Sequence, residues 1–358
     1  MEEMSGFQGH VCLGHLPPER QVALWAVQAV ARGANRVVFF RWRTAPYGQE
    51  QLCHGLVDGD DRETERLRVI AATMRRAKAE LSSLASVPVE SPVCLAYSKD
   101  DARVLREQYL SKGLLLRVSP TFQAGYDKEL ASWYAPFPTL GVGADAAPIG
   151  SLEPERYRVI SLPLYQMADS AVVDRLGHWV ESGGSLVLGY RAGARDALDH
   201  NVEATLPGLF AELAGIRVPR FESLNETSAA LRVGVVPGRG GVWADIIEPD
   251  GAETVAVWTD RSKFYRGSPA VTVNRVGKGL VWYLGTSPNP IAMLALYRRI
   301  LKAAGLCPRF AGADVEAIER RDADGKTWRL VLNHSPRRRR AYGATLEPWG
   351  WVKLPVSE

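Results

Sequence analysis

The fold reads most directly from Arg36-Val37-Val38-Phe39-Phe40-Arg41-Trp42-Arg43. The run from Val37 to Phe40 is short, continuous and rich in β-branched and aromatic residues, which suits a strand buried in a parallel sheet. Just upstream, residues 20–33 place Val22, Trp25, Ala26, Ala29 and Val30 on one helical face, and Gly33 supplies a stop. Downstream, a loop holding Pro46, Gly48 and Gly55 leads to Leu67, Ile70, Ala71, Met74 and Leu81, the spacing of a second amphipathic helix. Helix, strand, loop and helix in this order make a piece of a β/α fold. Its polar residues gather just past the strand's C-terminal end, where such folds keep their chemistry.

Further out, Ser86 to Pro92 reads as a linker. Val93–Tyr97 then reads as a strand with a helix near 100–111, and Tyr157–Leu162 as another strand. A helix follows that turns Val172, Val173, Leu176, Trp179 and Val180 to one side and ends at Gly183-Gly184. The next strand is Ser185–Gly189. This alternation predicts a doubly wound sheet. Residues 254–258, 270–274 and 279–284 are β-rich, with a turn at Gly277-Lys278-Gly279, and 290–304 closes the segment as a helix. From about 313 the pattern changes to short strands, Val315–Ile318, Trp328–Leu332 and Val352–Leu354, with a turn at Asp324-Gly325. That predicts a small antiparallel β domain. The expected segments are 1–85, 86–310 and 311–358.

Composition fits a globular protein, with 46% apolar and 23% charged residues in 358. A net charge of +4 is small for this length and argues against a nucleic-acid partner. The one charge run, Arg337–Arg340, reads as a solvated hairpin. Cys12, Cys53, Cys94 and Cys307 show no C-x-x-C spacing, so reduced thiols are expected, with no metal and no cofactor. There is no 18-residue apolar run and no basic-then-apolar start. The expectation is no membrane association and a cytoplasmic location.

Four stretches carry a sharper signal when taken in order: Met1-Glu2-Glu3-Met4, Trp25-Ala26-Val27-Gln28-Ala29, Phe39-Phe40-Arg41-Trp42-Arg43, and Gly48 through Gly55 with Glu50 and His54 inside it. Together they resemble the last two strands of the catalytic barrel of glycoside hydrolase family 42, the β-galactosidases. Leu162-Pro163-Leu164-Tyr165, Gly183-Gly184-Ser185-Leu186-Val187 and Gly277-Lys278-Gly279 resemble that family's second domain, which has an amidotransferase-like (flavodoxin-like) fold and mediates trimer formation. Leu332-Asn333-His334 and Leu346-Glu347-Pro348-Trp349-Gly350 resemble its small C-terminal β domain. The implied fold class is α/β: a (β/α)8 remnant, a doubly wound amidotransferase-like domain, and a small antiparallel β domain.

The resemblance implies Glu2 as the nucleophile, with Glu50, His54, Trp42 and His10 as sugar contacts. His10 stands where the family usually has tryptophan, eight residues past the nucleophile. Galactose stays the expected sugar, and the aglycone or linkage preference is left open. The implied activity is hydrolysis of terminal β-D-galactosides with retention, by a homotrimer. Retention uses two carboxylates about 5–5.5 Å apart. The family's acid/base glutamate lies on barrel strand four, which these residues do not include. Residues 1–85 also fall well short of the roughly 250 that a whole barrel takes. The chain is therefore expected to be a C-terminal portion that does not turn over alone, and its standing as an enzyme by itself is open.

Plainer readings stand beside these. Glu2 reads equally as a frayed, solvated terminal residue. Glu50 and His54, four apart, read as a surface pair, and Trp25 and Trp42 as packing residues. An alternative function is a trimerisation or carbohydrate-binding module without hydrolysis. No Gly-x-Cys-x-Gly elbow occurs, so amidotransferase chemistry is not expected.

Overall fold

The apolar spacing before Gly33 does build a helix. The computed structural model describes residues 2–7, 14–85, 87–119 and 122–356. The chain opens with strand β1 (Glu2–Met4), helix α1 (Glu19–Ala31), strand β2 (Val38–Phe40) and helix α2 (Glu65–Ala85). Gly33 ends α1 with a positive φ of 104°, a conformation that favours glycine. β1 and β2 run parallel as a two-stranded sheet, with Glu2 opposite Val38 and Met4 opposite Phe40. β2 is less buried than its composition predicts: Val38 is 54% exposed. The physical reason is that β1 is its only partner among the described strands, so one edge and part of one face stay open.

The chain forms two compact units. One holds Met1–Glu90, Pro138–Val142 and Arg309–Glu358, the other Ser91–Phe137 and Gly143–Pro308. The second unit begins with β3 (Val93–Tyr97) and α3 (Lys99–Glu107), then β4 (Arg117–Ser119), β5 (Phe122–Gln123) and α4 (Gly125–Tyr134). After the single turn α5 (Pro136–Thr139) come β6 (Ala144–Pro148), β7 (Val159–Leu162), α6 (Ser170–Glu181), β8 (Ser185–Gly189) and the turn α7 (Ala211–Ala214). A long hairpin follows, β9 (Ile216–Val233) and β10 (Val236–Pro249). The unit closes with β11 (Glu253–Trp258), β12 (Pro269–Val276), β13 (Gly279–Leu284), β14 (Ser287–Pro288) and α8 (Pro290–Ala303).

These strands form one ten-stranded sheet in the order β14-β10-β9-β11-β12-β13-β8-β7-β3-β6. β13, β8, β7, β3 and β6 run parallel, and the remaining pairings are antiparallel. The sheet is thus mixed, not purely doubly wound. Residues in the parallel part are buried throughout β7 and β8, as near-continuous apolar strands should be. Ile160, Leu162, Leu186 and Leu188 share a core with Leu176, Trp179 and Val180 of α6. Each such side chain contributes about 1.5–3 kcal/mol by leaving water. Asp169 caps α6 by accepting from the N–H groups of Ala171 (2.9 Å) and Val172 (3.2 Å). Asn289 caps α8, with Pro290 in its first turn.

The chain then returns to the first unit with β15 (Val315–Arg321), β16 (Thr327–Asn333), β17 (Arg339–Ala341), β18 (Ala344–Leu346) and β19 (Trp351–Pro355). β15, β16 and β19 make an antiparallel sheet, so the last stretch is the small antiparallel β structure expected from its short strands. Alternation along β16 divides two cores. Leu330 and Leu332 pack with Leu24, Val27 and Ala31 of α1 and Ala77, Leu81 and Leu84 of α2. Val331 turns the other way, to Val315, Ala341 and Leu346. The Arg337–Arg340 run lies at the β17–β18 hairpin, with Arg339 paired to Asp314 at 2.7 Å and Arg338 to Glu347 at 2.9 Å.

Two buried charges tie β15 to the helices. Glu316 accepts from Gln28 Nε2 (2.6 Å) and Arg32 Nε (2.9 Å), and its Oε2 lies 2.9 Å from His334 Nε2. Burial pushes the Glu316 carboxyl up, but His334 and Arg32 outweigh it and hold it below its usual range. Arg320 donates to the carbonyls of Ala31 (3.0 Å), Val30 (3.3 Å), Leu84 (2.7 Å) and Val87 (2.8 Å).

Candidate active site

Because β1 and β2 are parallel, their C-terminal ends lie side by side. Ser5, fully buried, continues from β1: its N–H donates to Phe40 O at 3.0 Å and its Oγ to Arg41 O at 2.8 Å. Past β2 the chain loops out and comes back. Leu56 N donates to Arg41 O (2.7 Å), Val57 N to Trp42 O (2.8 Å) and Thr44 N to Val57 O (3.1 Å). These bonds close the base of the loop that carries Glu50 and His54. Gly55 N donates to Thr44 Oγ1 at 2.9 Å, and a Cβ on Gly55 would lie 2.5 Å from Thr44 N, so only glycine fits there.

His54 is anchored toward β1. Its N–H donates to Phe7 O at 2.8 Å, and the two rings sit 5.4 Å apart at a 45° tilt. Burial first, then the nearby Arg66 guanidinium, lowers the imidazole pKa, with Asp58 opposing. The ring is therefore neutral at pH 7, and its Nδ1 is buried without a hydrogen-bond partner in the described structure. Arg66 is held by Gly55 O (3.1 Å) and by Asp58 (2.5 Å).

Glu50 forms an ion pair with Arg41, whose guanidinium lies 4.4 Å from the Phe40 ring centroid. The surface pair between Glu50 and His54 is replaced by this one. Trp42 is 61% exposed and so does not pack in a core, whereas Trp25 is half-buried against Val22, Ala23, Leu56 and Ile70. Glu2 is exposed and Glu3 half-buried, with burial raising the Glu3 carboxyl against the chain's amino group. Strand alternation puts the two glutamates on opposite faces. Glu3 shares its face with its partner Phe39, which packs on the helix cluster, and Glu2 lies on the other face with Val38. His10 lies outside the described residues.

The structure thus brings His54 against Phe7 past the end of β1 and pairs Glu50 with Arg41, while exposed Glu2 begins β1, exposed Trp42 follows β2, and neither makes a described contact with Glu50 or His54. An arginine-paired carboxylate and an imidazole offer acceptors and donors of the kind that hold hydroxyl groups. Sequence reading left out Arg41 and Arg66. Arg41 occupies the variable position of the Phe-Phe-x-Trp stretch, and only the loop's return makes it the partner of Glu50. Among the described residues no group of three His, Cys, Asp or Glu could hold a metal ion, and no helix is long and apolar enough to cross a membrane.

Comparison with known proteins places this architecture among the β-galactosidases. The family profile described as "Beta-galactosidase trimerisation domain" matches residues 93–307, and the profile described as "Beta-galactosidase" matches residues 1–80. The first spans more than half of the chain, and the chain belongs to this family, glycoside hydrolase family 42. A β-galactosidase of Clostridium cellulovorans is 29% identical over 94% of this chain and 49% of its own length. One from Haloferax lucentense is 30% identical over 89% and 45%. The solved β-galactosidase of the Antarctic haloarchaeon Halorubrum lacusprofundi superposes with a TM-score of 0.85 at 26% identity, covering 99% of this chain and 52% of that one. The structure from Rahnella sp. R3, at 22% identity and TM-score 0.86, shows the shared fold. The chain spans about half the length of the curated relatives it matches.

Proposed function

We propose that residues 1–85 carry the nucleophile side of a retaining β-galactosidase site, with Glu2 as nucleophile and Glu50, His54, Trp42 and His10 around the sugar. The observation that carries this reading is the return of the loop after β2: it brings His54 against Phe7, beside the end of β1. The opposite facing of Glu2 and Glu3 supports Glu2, because Glu3 shares a face with a residue packed on helices. The Arg41–Glu50 pair supports a binding role for Glu50, since an ion-paired carboxylate is a poor nucleophile but a good acceptor for sugar hydroxyls. In this reading the acid carboxylate comes from strands beyond residues 1–358.

For the second unit we propose an amidotransferase-like, flavodoxin-like build that is chemically silent and mediates homotrimer formation. The order β6-β3-β7-β8-β13 supports it, since counted along the chain it runs second, first, third, fourth, fifth. Buried Cys94 supports the silence: burial and then Asp145 push its thiol up to about 12, far from a reactive thiolate. Reduced thiols at Cys94 and Cys307 suit a cytoplasmic setting.

The test restores the preceding barrel strands and compares Glu2→Gln with Glu3→Gln. Glu2→Gln is expected to abolish glycosyl-enzyme formation with a fluorinated galactoside, and Glu3→Gln to stay largely active. The 358 residues alone are expected to give no turnover of a chromogenic β-galactoside, since general acid catalysis of about 10²–10⁴-fold is missing. A dead Glu3→Gln with a live Glu2→Gln shifts the assignment by one residue and overturns it.

A further inference from the structure

The second unit has a crevice that the glycosidase reading does not use. It lies past the C-terminal end of β8, has a volume of about 670 Å³, and is lined in part by Arg191, Arg195, Phe221 and Trp243. Both arginines are buried, at 6% and 5% exposure. Arg195 is engaged, donating to Gln108 Oε1 at 2.5 Å and pairing with Asp199. Arg191 is not: among the described residues no acceptor meets its guanidinium, and its Nε is buried and unpartnered. A buried cation without a hydrogen-bonded counter-charge is costly, and proteins keep one where a ligand completes it.

The surroundings hold Arg191 in place. Its backbone takes a positive φ of 64°, unusual for a long side chain and typical of sites fixed by their neighbours. Its N–H donates to Asp245 Oδ2 at 3.3 Å, and Asp245 also accepts from Trp243 Nε1 (2.9 Å) and Tyr283 OH (2.7 Å). Phe221 and Trp243 stack on each other with centroids 5.0 Å apart, and each ring lies 5.3 Å from the Arg191 guanidinium carbon. Burial lowers the Arg191 pKa and the nearby Asp245 raises it. The guanidinium thus lies within cation–π distance of both rings and keeps N–H groups that meet no acceptor among the described residues, and such a fork takes a planar carboxylate in two parallel hydrogen bonds.

The rest of the crevice narrows the ligand. Asp199 pairs with Arg195, and Asp245 lies near Arg191 without accepting from its guanidinium, so one anionic group is what the site has room for, which suits a singly charged carboxylate better than a doubly charged phosphate. Gln108, Asp199, His200 and Asn201 line the same space and offer both donors and acceptors to hydroxyls. A volume of this size lies within the range of small-molecule sites. We propose that this crevice binds a small polyhydroxylated carboxylate, a sugar acid, with its carboxylate on Arg191. This site is independent of Glu2 and of the assignment made for the first unit.

The experiment is calorimetric titration of the 358-residue protein with galacturonate, galactose and inorganic phosphate, on wild type, Arg191→Met and Phe221→Ala. Galacturonate is expected to bind saturably in the millimolar range or tighter, at least tenfold better than galactose or phosphate. Arg191→Met should lose at least tenfold in affinity. Phe221→Ala, a change at a half-exposed ring, should lose severalfold while unfolding at the wild-type temperature. If Arg191→Met does not fold, Phe221→Ala decides the matter. Absence of galacturonate binding at 20-fold molar excess in the millimolar range, equal binding of galactose, preference for phosphate, or full affinity in the folded variants would each overturn the proposal.

Discussion

Asp101 shows what one residue does to the second unit. It sits in the first turn of α3, where its N–H donates to the capping Ser98 Oγ at 3.0 Å, and its Oδ1 accepts from the backbone of Gln166 (3.1 Å) and Met167 (3.2 Å). Its Oδ2 and both polar atoms of the Gln166 side chain are buried without partners among the described residues. Burial dominates over these hydrogen bonds and pushes the carboxyl up to about 6. The folded state thus holds the Asp101 proton more tightly than the unfolded chain, whose pKa is about 3.9. The stability this brings is fully present below about pH 4 and is lost as pH rises through about 6. We predict that Asp101→Asn removes roughly 2–3 kcal/mol of stability loss between pH 4 and pH 7. Denaturant unfolding of both proteins at the two pH values checks it; parallel pH dependences would show that the carboxyl titrates normally.

At the scale of elements, α1 and α2 depend on a residue 289 and 236 positions away along the chain. Helix C-termini leave carbonyls without intrahelical partners and carry partial negative charge. Arg320 of β15 answers both helices at once, bonding Val30 and Ala31 of α1 and, past the other axis, Leu84 and Val87. Glu316, four residues earlier on the same face of β15, adds Gln28 and Arg32 of the α1 end. Replacing Arg320 by Met keeps the stem and removes the donors. We predict a loss of about 2–4 kcal/mol in the first unit, since hydrogen bonds from charged groups contribute about 1.5–3 kcal/mol each and are not additive. Hydrogen exchange should show faster amides in the last turns of both helices. Unchanged protection there would assign Arg320 no capping role.

At the scale of the whole molecule, the match of residues 93–307 to a trimerisation family meets an exposed strand in the first unit. Self-association of the 358 residues is expected, because cyclic homo-oligomers are common and the second unit is the matched segment. Light scattering should report three times the 39.3 kDa chain mass at micromolar concentration. A clean monomer would count against the trimer. A broad, concentration-dependent mass would instead implicate the open edge of β2, where Val38 is exposed.

The sequence by itself determined the local elements with strong periods. The runs at Val93–Tyr97, Ser185–Gly189 and Gly279–Leu284 became β3, β8 and β13, because a strand buried on both faces is apolar at successive positions and these runs are too short for a helix. It also determined the family, since the ordered motifs from Glu2 to His54 and from Leu162 to Gly350 belong to one pattern. The long β9–β10 hairpin was not legible. Pro219, Pro237, Gly238, Gly240 and Gly241 are residue types that weaken a strand, and the structure uses two of the glycines for close contact: a Cβ on Gly238 would lie 2.6 Å from the Ala292 Cβ, and one on Gly240 2.6 Å from Trp258. Tertiary structure alone also decided that Glu50 meets Arg41 and not His54, that Arg320 caps two helices, and that the Arg191 guanidinium meets no acceptor among the described residues. The reason is the same in each case. A periodic pattern reports how a segment faces its own core, whereas the partner of a charged group is set by chain segments that approach from elsewhere and leave no mark in the residues beside it.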